Sequence, residues 1–221
     1  MTFKNRFLKF FTALAVLSFI LGVLGNVQPI YAYSPLINHG YRFSAPPFNK
    51  QVSIKTFSGP DTAYSVIHDS ILSATESFYL EVYTLSNEYL VNDLISINGS
   101  GVEVIVLLSH DRVSSWEDDY TEEAAKRLYE AGITVYWTSS TFRYTHAKFW
   151  IVDHNQVGIY SGNYAPSSVP QNPAKGNREF GVIIYDTEVA TYYENVLLND
   201  MAIGTPYSPG GSTIGYLAGE P

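Results

Sequence analysis

The sequence contains no cysteine in 221 residues. This excludes a disulfide framework and any metal site built on thiolates. Histidine is scarce as well, with five residues, and neither the histidines nor the carboxylates form a group at metal-ligand spacing. We therefore expect a protein that works with no metal ion and no other cofactor.

Basic residues are also few. The chain has 13 Lys and Arg against 21 Asp and Glu, which gives a formal net charge of −8. A general nucleic-acid binder presents a basic surface to the phosphate backbone, and this composition offers none. The composition disfavours a nuclease without excluding it, because a local cationic cleft can exist on an acidic protein.

Hydrophobic residues are plentiful, at 46% of the chain, and one long apolar run lies near the start. Lys4, Arg6 and Lys9 precede the run Phe10–Leu24, and no acidic residue interrupts the segment. A membrane-spanning helix needs about 20 apolar residues, so this shorter run fits the core of a signal peptide better. We interpret residues 1–32 as a signal peptide or, alternatively, an N-terminal membrane anchor. Either predicts a folded part that is secreted or held outside the cytoplasm.

The rest of the chain divides into three parts. Residues 33–51, rich in proline and aromatics, are interpreted as a linker or arm, and residues 204–221, rich in Gly, Pro and Ser, as a flexible tail. Between them, segments with strand-like alternation give way to segments with apolar residues at helical spacing. The predicted strands cover residues 52–57, 78–84, 102–108, 133–137 and 179–185, and a predicted hairpin adds two more. The predicted helices cover residues 63–74, 88–97, 117–131 and 188–201. This alternation predicts one α/β sandwich domain over residues 52–203 with a mixed, mostly parallel sheet.

The stretch Tyr144–Asn163 is the one most suggestive of chemistry. His146 and Lys148 are two residues apart, and in a strand such side chains share a face. A turn is predicted at residues 153–156. The chain then returns and brings Ser161 and Asn163 back toward the first pair. The sequence thus predicts an imidazole, an ammonium, a hydroxyl and an amide close together.

Phosphoryl transfer is the chemistry that such a group suits. An imidazole nitrogen can attack phosphorus and divide one difficult step into two. Lysine and neutral donors can hold the charge on the non-bridging oxygens. We therefore assign His146 as nucleophile and Lys148, Ser161 and Asn163 as phosphate-binding residues.

These residues resemble the signature of the phospholipase D superfamily, H-x-K-x4-D-x6-G-S-x-N. His146, Lys148, Asp153, Ser161 and Asn163 stand at the required spacing, and a tyrosine, residue 160, replaces the usual glycine. The resemblance implies an α/β/α sandwich over roughly residues 51–203. It also implies that the downstream Glu179 orients His146 by accepting its Nδ1 hydrogen. Asp153, at the hairpin turn, we interpret as mainly structural.

The chain carries a single His-x-Lys pair, whereas active sites of this superfamily are built from two motifs. The resemblance is therefore to its single-motif branch, which includes bacterial-type endonucleases, and it implies a homodimer that joins His146 to its own copy. A fragment of a two-motif protein is the alternative. The leading hypothesis is a metal-independent phosphodiesterase that hydrolyses a phospholipid headgroup through a phosphohistidine. A nonspecific endonuclease and a non-catalytic phosphate- or membrane-binding module remain alternatives.

Overall fold

The structure, a computed structural model, describes residue 43 and residues 46–110 and 115–210, without the side chains of residues 115–119. The predicted leader, most of the predicted arm and the end of the predicted tail lie outside these residues. The strands are β1 (Ser53–Gly59), β2 (Ser77–Val82), β3 (Glu103–Leu108), β4 (Thr134–Trp137), β5 (Lys148–Val152), β6 (Gln156–Tyr160), β7 (Glu179–Tyr185) and β8 (Thr205–Pro206). The helices are α1 (Ala63–Leu72), α2 (Glu88–Gly99), α3 (Ser115–Glu130) and α4 (Thr187–Ile203).

All the described strands form one mixed sheet in the order β1-β7-β6-β5-β2-β3-β4-β8. Only β2–β3 and β3–β4 pair in parallel, and helices α2 and α3 make these two crossovers. The other five pairings are antiparallel. The prediction of a mostly parallel sheet is therefore wrong. After β4 the chain reaches β5 without a helix and then forms a hairpin, and a short connection of this kind joins antiparallel strands.

Two layers of helices cover the two faces of the sheet, which confirms the predicted α/β/α sandwich. Helices α1, α2 and α3 bury residues such as Ile67, Leu94 and Leu128 against one face. Helix α4 packs Val189 and Leu197 against the other face, which belongs to a second hydrophobic cluster. Burial on both faces explains why β2 and β5 are apolar almost throughout.

The start of the predicted tail is part of the fold. Thr205 and Pro206 pair with Trp137 and Tyr136 on β4. The Tyr207 backbone N–H donates to the Val135 carbonyl over 2.9 Å, and the Tyr207 ring is buried beside Trp137. The prediction of a flexible tail from residue 204 is therefore wrong at its beginning, because an aromatic anchor holds the short strand β8 in place.

No helix within the described ranges is both long enough and apolar enough to cross a bilayer.

Candidate active site

The two residues of the His-x-Lys pair lie at the start of β5. The strand begins at Lys148, and His146 precedes its first residue by two positions. Lys148 is buried, whereas the His146 ring is exposed. Lys148 Nζ donates to the His146 carbonyl oxygen over 2.9 Å and lies 3.0 Å from His146 Nδ1. The imidazole is therefore open to a ligand on one side and held by an ammonium on the other.

Tyr83 forms the floor beneath this pair. Its ring centroid lies 5.0 Å from that of His146 and 5.6 Å from Lys148 Nζ. Burial lowers the pKa of Lys148 to about 8, although the nearby carboxylate of Glu179 acts in the opposite direction. Burial, and then the charge of Lys148, lower the pKa of His146. A lowered pKa keeps His146 neutral at pH 7, which is the form that can act as a nucleophile.

Asp153 lies at the far end of β5 and shapes the hairpin turn. Its carboxylate accepts hydrogen bonds from the Thr75, Glu76 and Ser77 backbone N–H groups over 2.8–3.1 Å and from the Thr75 hydroxyl over 2.8 Å. Although burial opposes the shift, these donors lower the pKa of Asp153. The contacts give Asp153 a structural role, since it is not among the described residues that line the cleft around His146.

The return strand β6 brings Ser161 and Asn163 to the same place as the His-x-Lys pair. These residues, with His146, Lys148 and Glu179, line a cleft of about 410 Å³ that we call the His146 cleft. The side-chain oxygen of Asn163 is buried and has no hydrogen-bond partner among the described residues. The cleft thus contains one ammonium, one imidazole and a buried amide oxygen that accepts no hydrogen bond from the described residues.

Tyr160, the departure from the superfamily pattern, is accommodated by two glycines. Its ring stacks on Phe57 with centroids 5.3 Å apart, and its hydroxyl donates to the Ser168 carbonyl over 2.7 Å. A Cβ at Gly59 would lie 2.3 Å from this hydroxyl, and one at Gly162 would lie 2.7 Å from the ring. The tyrosine therefore points away from the cleft and braces the loop that follows Asn163.

Glu179 does not make the contact that the resemblance implies. Its carboxylate accepts hydrogen bonds from the Ser161 hydroxyl and, over 3.3 Å, from the Ser168 hydroxyl. The group closest to His146 Nδ1 is Lys148 Nζ rather than this carboxylate. The predicted Glu179–His146 hydrogen bond is therefore not formed in this structure, where the Ser161 and Ser168 hydroxyls donate to the carboxylate instead.

Sequence reasoning missed several polar residues of the cleft. Thr84, Ser86, Ser167, Ser168 and Asn177 also line it. Thr84 and Ser86 follow the carboxyl end of β2, and binding residues often gather at such strand ends. That rule was the available signal for these two, whereas Ser167 and Ser168 lie in a loop without regular spacing.

Within the described residues, no group of three or more His, Cys, Asp or Glu lies close enough to hold a metal ion. Lys148 is the one cationic side chain among the described residues that line the His146 cleft, apart from the titratable His146 itself. The positive charge that a bound phosphate would meet there is therefore the Lys148 ammonium.

The family relationship agrees with this geometry. A family model described as "cardiolipin synthase, PLD-like domain" matches residues 67–201, more than half of the chain and all of the His146 cleft. The chain belongs to the phospholipase D superfamily. The predicted resemblance is therefore confirmed, and the chain is one of the phospholipase D-like proteins that act on phosphodiesters.

Individual relatives in this superfamily resemble the chain over most of its length. It is 27% identical over 208 residues to a Rickettsia felis protein named phospholipase D, covering 90% of this chain and 97% of that protein. Its fold resembles the phospholipase D family member Nuc from Salmonella typhimurium, with a TM-score of 0.63, 21% identity and coverage of 71% and 99%. NucT from Helicobacter pylori is similar with a TM-score of 0.54 and 16% identity, over 71% of this chain and 100% of NucT. At these identities the solved structures show the shared fold.

Proposed function

We propose that this phospholipase D-like protein is a metal-independent phosphodiesterase that hydrolyses a phospholipid headgroup through a phosphohistidine. The observation that carries the proposal is the convergence of His146, Lys148, Ser161 and Asn163 on one cleft. An exposed, neutral imidazole beside a buried ammonium provides a nucleophile and a phosphate ligand at once.

In the first step, His146 Nε2 attacks the phosphorus atom and a P–N bond forms. The bond between phosphorus and the headgroup oxygen breaks, and that oxygen leaves with a proton from a general acid. Lys148 binds the non-bridging oxygens, where negative charge accumulates. In the second step, water attacks the phosphohistidine and gives a proton to the group that acted as general acid, the P–N bond breaks, and phosphatidic acid is released.

The contact between Lys148 and His146 has to change for this reaction. An ammonium that donates to Nδ1 leaves the proton of a neutral imidazole on Nε2, the atom that must attack. A bound phosphate competes for the same ammonium. We expect Lys148 to move toward the phosphate and free Nδ1 to carry the proton. Glu179, the one carboxylate among the described cleft residues, is then the available acceptor for it.

The general acid comes from a second copy of the chain. His146 is the one histidine among the described residues that line the cleft, and one imidazole cannot attack and protonate the leaving group in the same step. A twofold dimer that places two clefts face to face supplies the second imidazole. This mechanism requires a homodimer, in which one copy of His146 is the nucleophile and the other is the general acid.

A lipid substrate is favoured by a second groove beside the His146 cleft. This groove of about 440 Å³, which we call the tyrosine groove, shares Ser86 with the cleft. Its wall is largely aromatic and apolar and includes Tyr89, Val91, Tyr120, Pro166, Val169 and Pro170. Glu88 and Glu123 also line it and disfavour a polyanion there, although Arg127 adds one positive charge. An apolar groove next to a phosphate cleft fits the nonpolar part of a lipid better than a second nucleotide phosphate.

The site of action is proposed to be outside the cytoplasm. The basic start and apolar run of residues 1–32 support export or anchoring at a membrane. Either arrangement brings the chain close to bilayer phospholipid. Fractionation of cells that express the full chain, with detection of its N-terminus, tests this proposal, and recovery in the cytoplasm would contradict it.

Parallel substrates test the proposed activity. The full chain is incubated with phosphatidylcholine vesicles or with single-stranded DNA, each in the presence of EDTA. We expect choline release, its loss in His146→Ala, and its retention in His68→Ala. His68 is a suitable control because it pairs with Asp93 and does not line the cleft. Cleavage of DNA alone would establish the endonuclease alternative, and cleavage of neither substrate would favour the non-catalytic module.

A further inference from the structure

Thr84 carries a buried hydroxyl with no hydrogen-bond partner. The residue is 1% exposed, and its Oγ1 contacts no donor or acceptor among the described residues. A buried hydroxyl without a hydrogen-bond partner costs free energy, so such groups are rare in folded proteins. Each one needs an explanation other than the stability of the ligand-free protein. Because Thr84 lines the His146 cleft, the reason to consider first is a ligand in that cleft.

The backbone holds this hydroxyl in a fixed place. The Thr84 carbonyl accepts a hydrogen bond from the Tyr164 N–H over 3.0 Å, and the preceding Tyr83 N–H donates to the Ala147 carbonyl over 3.0 Å. These bonds tie the end of β2 to the segment that contains His146 and to the loop that contains Asn163. Thr84 therefore lies between the two halves of the signature, although it belongs to neither.

We propose that Thr84 is a substrate-binding residue whose hydroxyl donates to a non-bridging oxygen of the phosphodiester. The inference deepens the proposed function and rests on it for the identity of the substrate. Asn163 presents a second unsatisfied polar atom in the same cleft, its buried side-chain oxygen. Turning this amide by 180° aims its Nδ2 donor at the place the oxygen occupied. One anionic phosphate then satisfies Thr84, Asn163 and Lys148 together.

A donor fixed in this way acts on the reaction as well as on binding. Negative charge on the non-bridging oxygens rises as the P–N bond forms, and a donor already in place stabilises that charge without rearrangement. The Thr84 hydroxyl is neutral, so it provides this contact without a second buried charge beside Lys148. In the free protein the hydroxyl has no partner, which lowers stability, but it is already in position when phosphate binds.

Thr121 offers a matched comparison. It is also fully buried and its hydroxyl also lacks a partner among the described residues, but it lies on α3 and does not line the cleft. Thr84→Val and Thr121→Val each replace a hydroxyl by a methyl group at nearly constant shape. Both variants lose one buried hydroxyl. A difference in activity or phosphate binding between them therefore shows the effect of where that hydroxyl lies. Thr84→Ser keeps the hydroxyl and controls for the altered side chain.

Hydrolysis is the first measurement. We expect Thr84→Val to lower kcat/KM by about 10²-fold, the usual effect of removing one donor to a developing anion. Thr121→Val should stay close to the wild-type value, and Thr84→Ser, which keeps the hydroxyl, should recover most of the activity that Thr84→Val loses. If Thr84→Val hydrolyses the substrate as fast as Thr121→Val does, the inference is wrong.

Binding of inorganic phosphate is the second measurement, and it does not depend on activity. The melting temperature is followed while phosphate replaces chloride at constant ionic strength. We expect the wild type and Thr121→Val to gain stability with phosphate and Thr84→Val to gain much less. Without phosphate, Thr84→Val should melt no lower than the wild type, because it buries no unpaired hydroxyl; a lower melting temperature would contradict the unsatisfied state of that group.

The two measurements separate this inference from the proposed function. A wild type that binds phosphate through Thr84 but hydrolyses no phosphodiester would overturn the proposed activity and support the phosphate site. A wild type that hydrolyses lipid while Thr84→Val binds phosphate and turns over normally would overturn the role of Thr84. Absence of any phosphate-dependent stabilisation in the wild type would also count against it.

Discussion

Lys148 Nζ lies 3.0 Å from His146 Nδ1, so the ammonium and the proposed nucleophile are direct neighbours before any substrate binds. Each group affects the other. The charge of Lys148 adds to burial in lowering the pKa of His146, and burial lowers the pKa of Lys148 to about 8. The pair therefore links the charge that binds phosphate to the protonation state of the nucleophile.

The alkaline limb of the pH–rate profile should belong to Lys148. Binding of phosphate needs the protonated ammonium, and this form is lost as the pH rises through about 8. We expect kcat/KM to fall above that pH. In Lys148→Arg the guanidinium stays charged, so the remaining activity, even if much lower, should not fall in this range. An unchanged alkaline limb in Lys148→Arg would assign that limb to another group.

Gly162 should be required for the shape of the cleft. A Cβ there would lie 2.7 Å from the Tyr160 ring, 2.8 Å from Ser168 Cβ and 3.0 Å from Glu179 Cδ. Gly162→Ala should therefore displace Ser161 and Asn163 and lower kcat/KM by at least about 10-fold, as expected when a binding group moves by a fraction of an ångström. Gly99→Ala is the matched control, since a Cβ at Gly99 meets nothing within 4 Å. Equal activity in the two variants would show that the loop adapts.

Asp153 should act on stability rather than on catalysis. Asp153→Ala removes the acceptor of the Thr75, Glu76 and Ser77 donors. We expect a loss of about 3 kcal/mol in the free energy of unfolding, measured by urea titration. The folded fraction should keep its kcat. A variant with wild-type stability and no activity would instead give Asp153 a part in the chemistry.

Two buried carboxyl groups beneath the sheet should make stability depend on pH. Glu81 on β2 and Asp200 on α4 are hydrogen-bonded to each other. Burial, and then the charge of Asp200, raise the pKa of Glu81, and burial raises the pKa of Asp200 to about 6. Because both pKa values are raised on folding, this pair binds more protons in the folded protein than in the unfolded chain above pH 4. The contribution of the pair to stability should therefore fall as the pH rises from about 4 through about 6.

Asp200→Asn tests this pair directly. It removes the buried carboxylate of residue 200, so its melting temperature should exceed that of the wild type at pH 7, by roughly 2–4 °C for each kcal/mol of burial cost removed. The difference should disappear near pH 4, where both carboxyl groups are protonated in the wild type. A variant that is less stable at pH 7 would show that the carboxylate contributes a favourable contact there.

The sequence was informative wherever the pattern was local. The spacing of His146, Lys148, Ser161 and Asn163 predicted a hairpin that returns polar groups to one place, since strand periodicity and turn residues act over a few positions. The helices and strands between residues 53 and 203 could be predicted for the same reason, because apolar periodicity is also a local pattern. The space for Tyr160, in contrast, depends partly on Gly59, which lies far from it in the sequence, as well as on the nearby Gly162.

The features that could not be predicted from the sequence depend on contacts between residues that are far apart in the chain. Strand β8 is two residues long in a stretch rich in glycine and proline, and it is held by the packing of Tyr207 against Trp137. Either Lys148 or Glu179 could contact His146 Nδ1. Differences of about an ångström in side-chain position decide between them, and a sequence pattern does not contain such differences. The unsatisfied hydroxyl of Thr84 becomes visible only when every partner around it has been accounted for.

The homodimer makes a further prediction. If both copies of His146 are needed for one turnover, specific activity should fall when the chain is diluted below its dimerisation constant, and sedimentation should show the parallel change in mass. Mixing with an excess of His146→Ala should depress the activity of the wild type, because mixed dimers lack one imidazole. Full specific activity in a species of monomer mass would contradict the shared site.

Detection of the covalent intermediate tests the proposed mechanism most directly. The full chain is mixed with phosphatidylcholine vesicles, and the reaction is quenched with alkali within the first turnovers. The protein is then digested, and the mass of the peptide that contains His146 is measured by mass spectrometry. We expect a phosphatidyl or phosphoryl adduct on His146, absent from His146→Ala and more abundant when the second step is slow. A chain that releases choline steadily while His146 stays unmodified at every quench time would contradict nucleophilic attack by this imidazole.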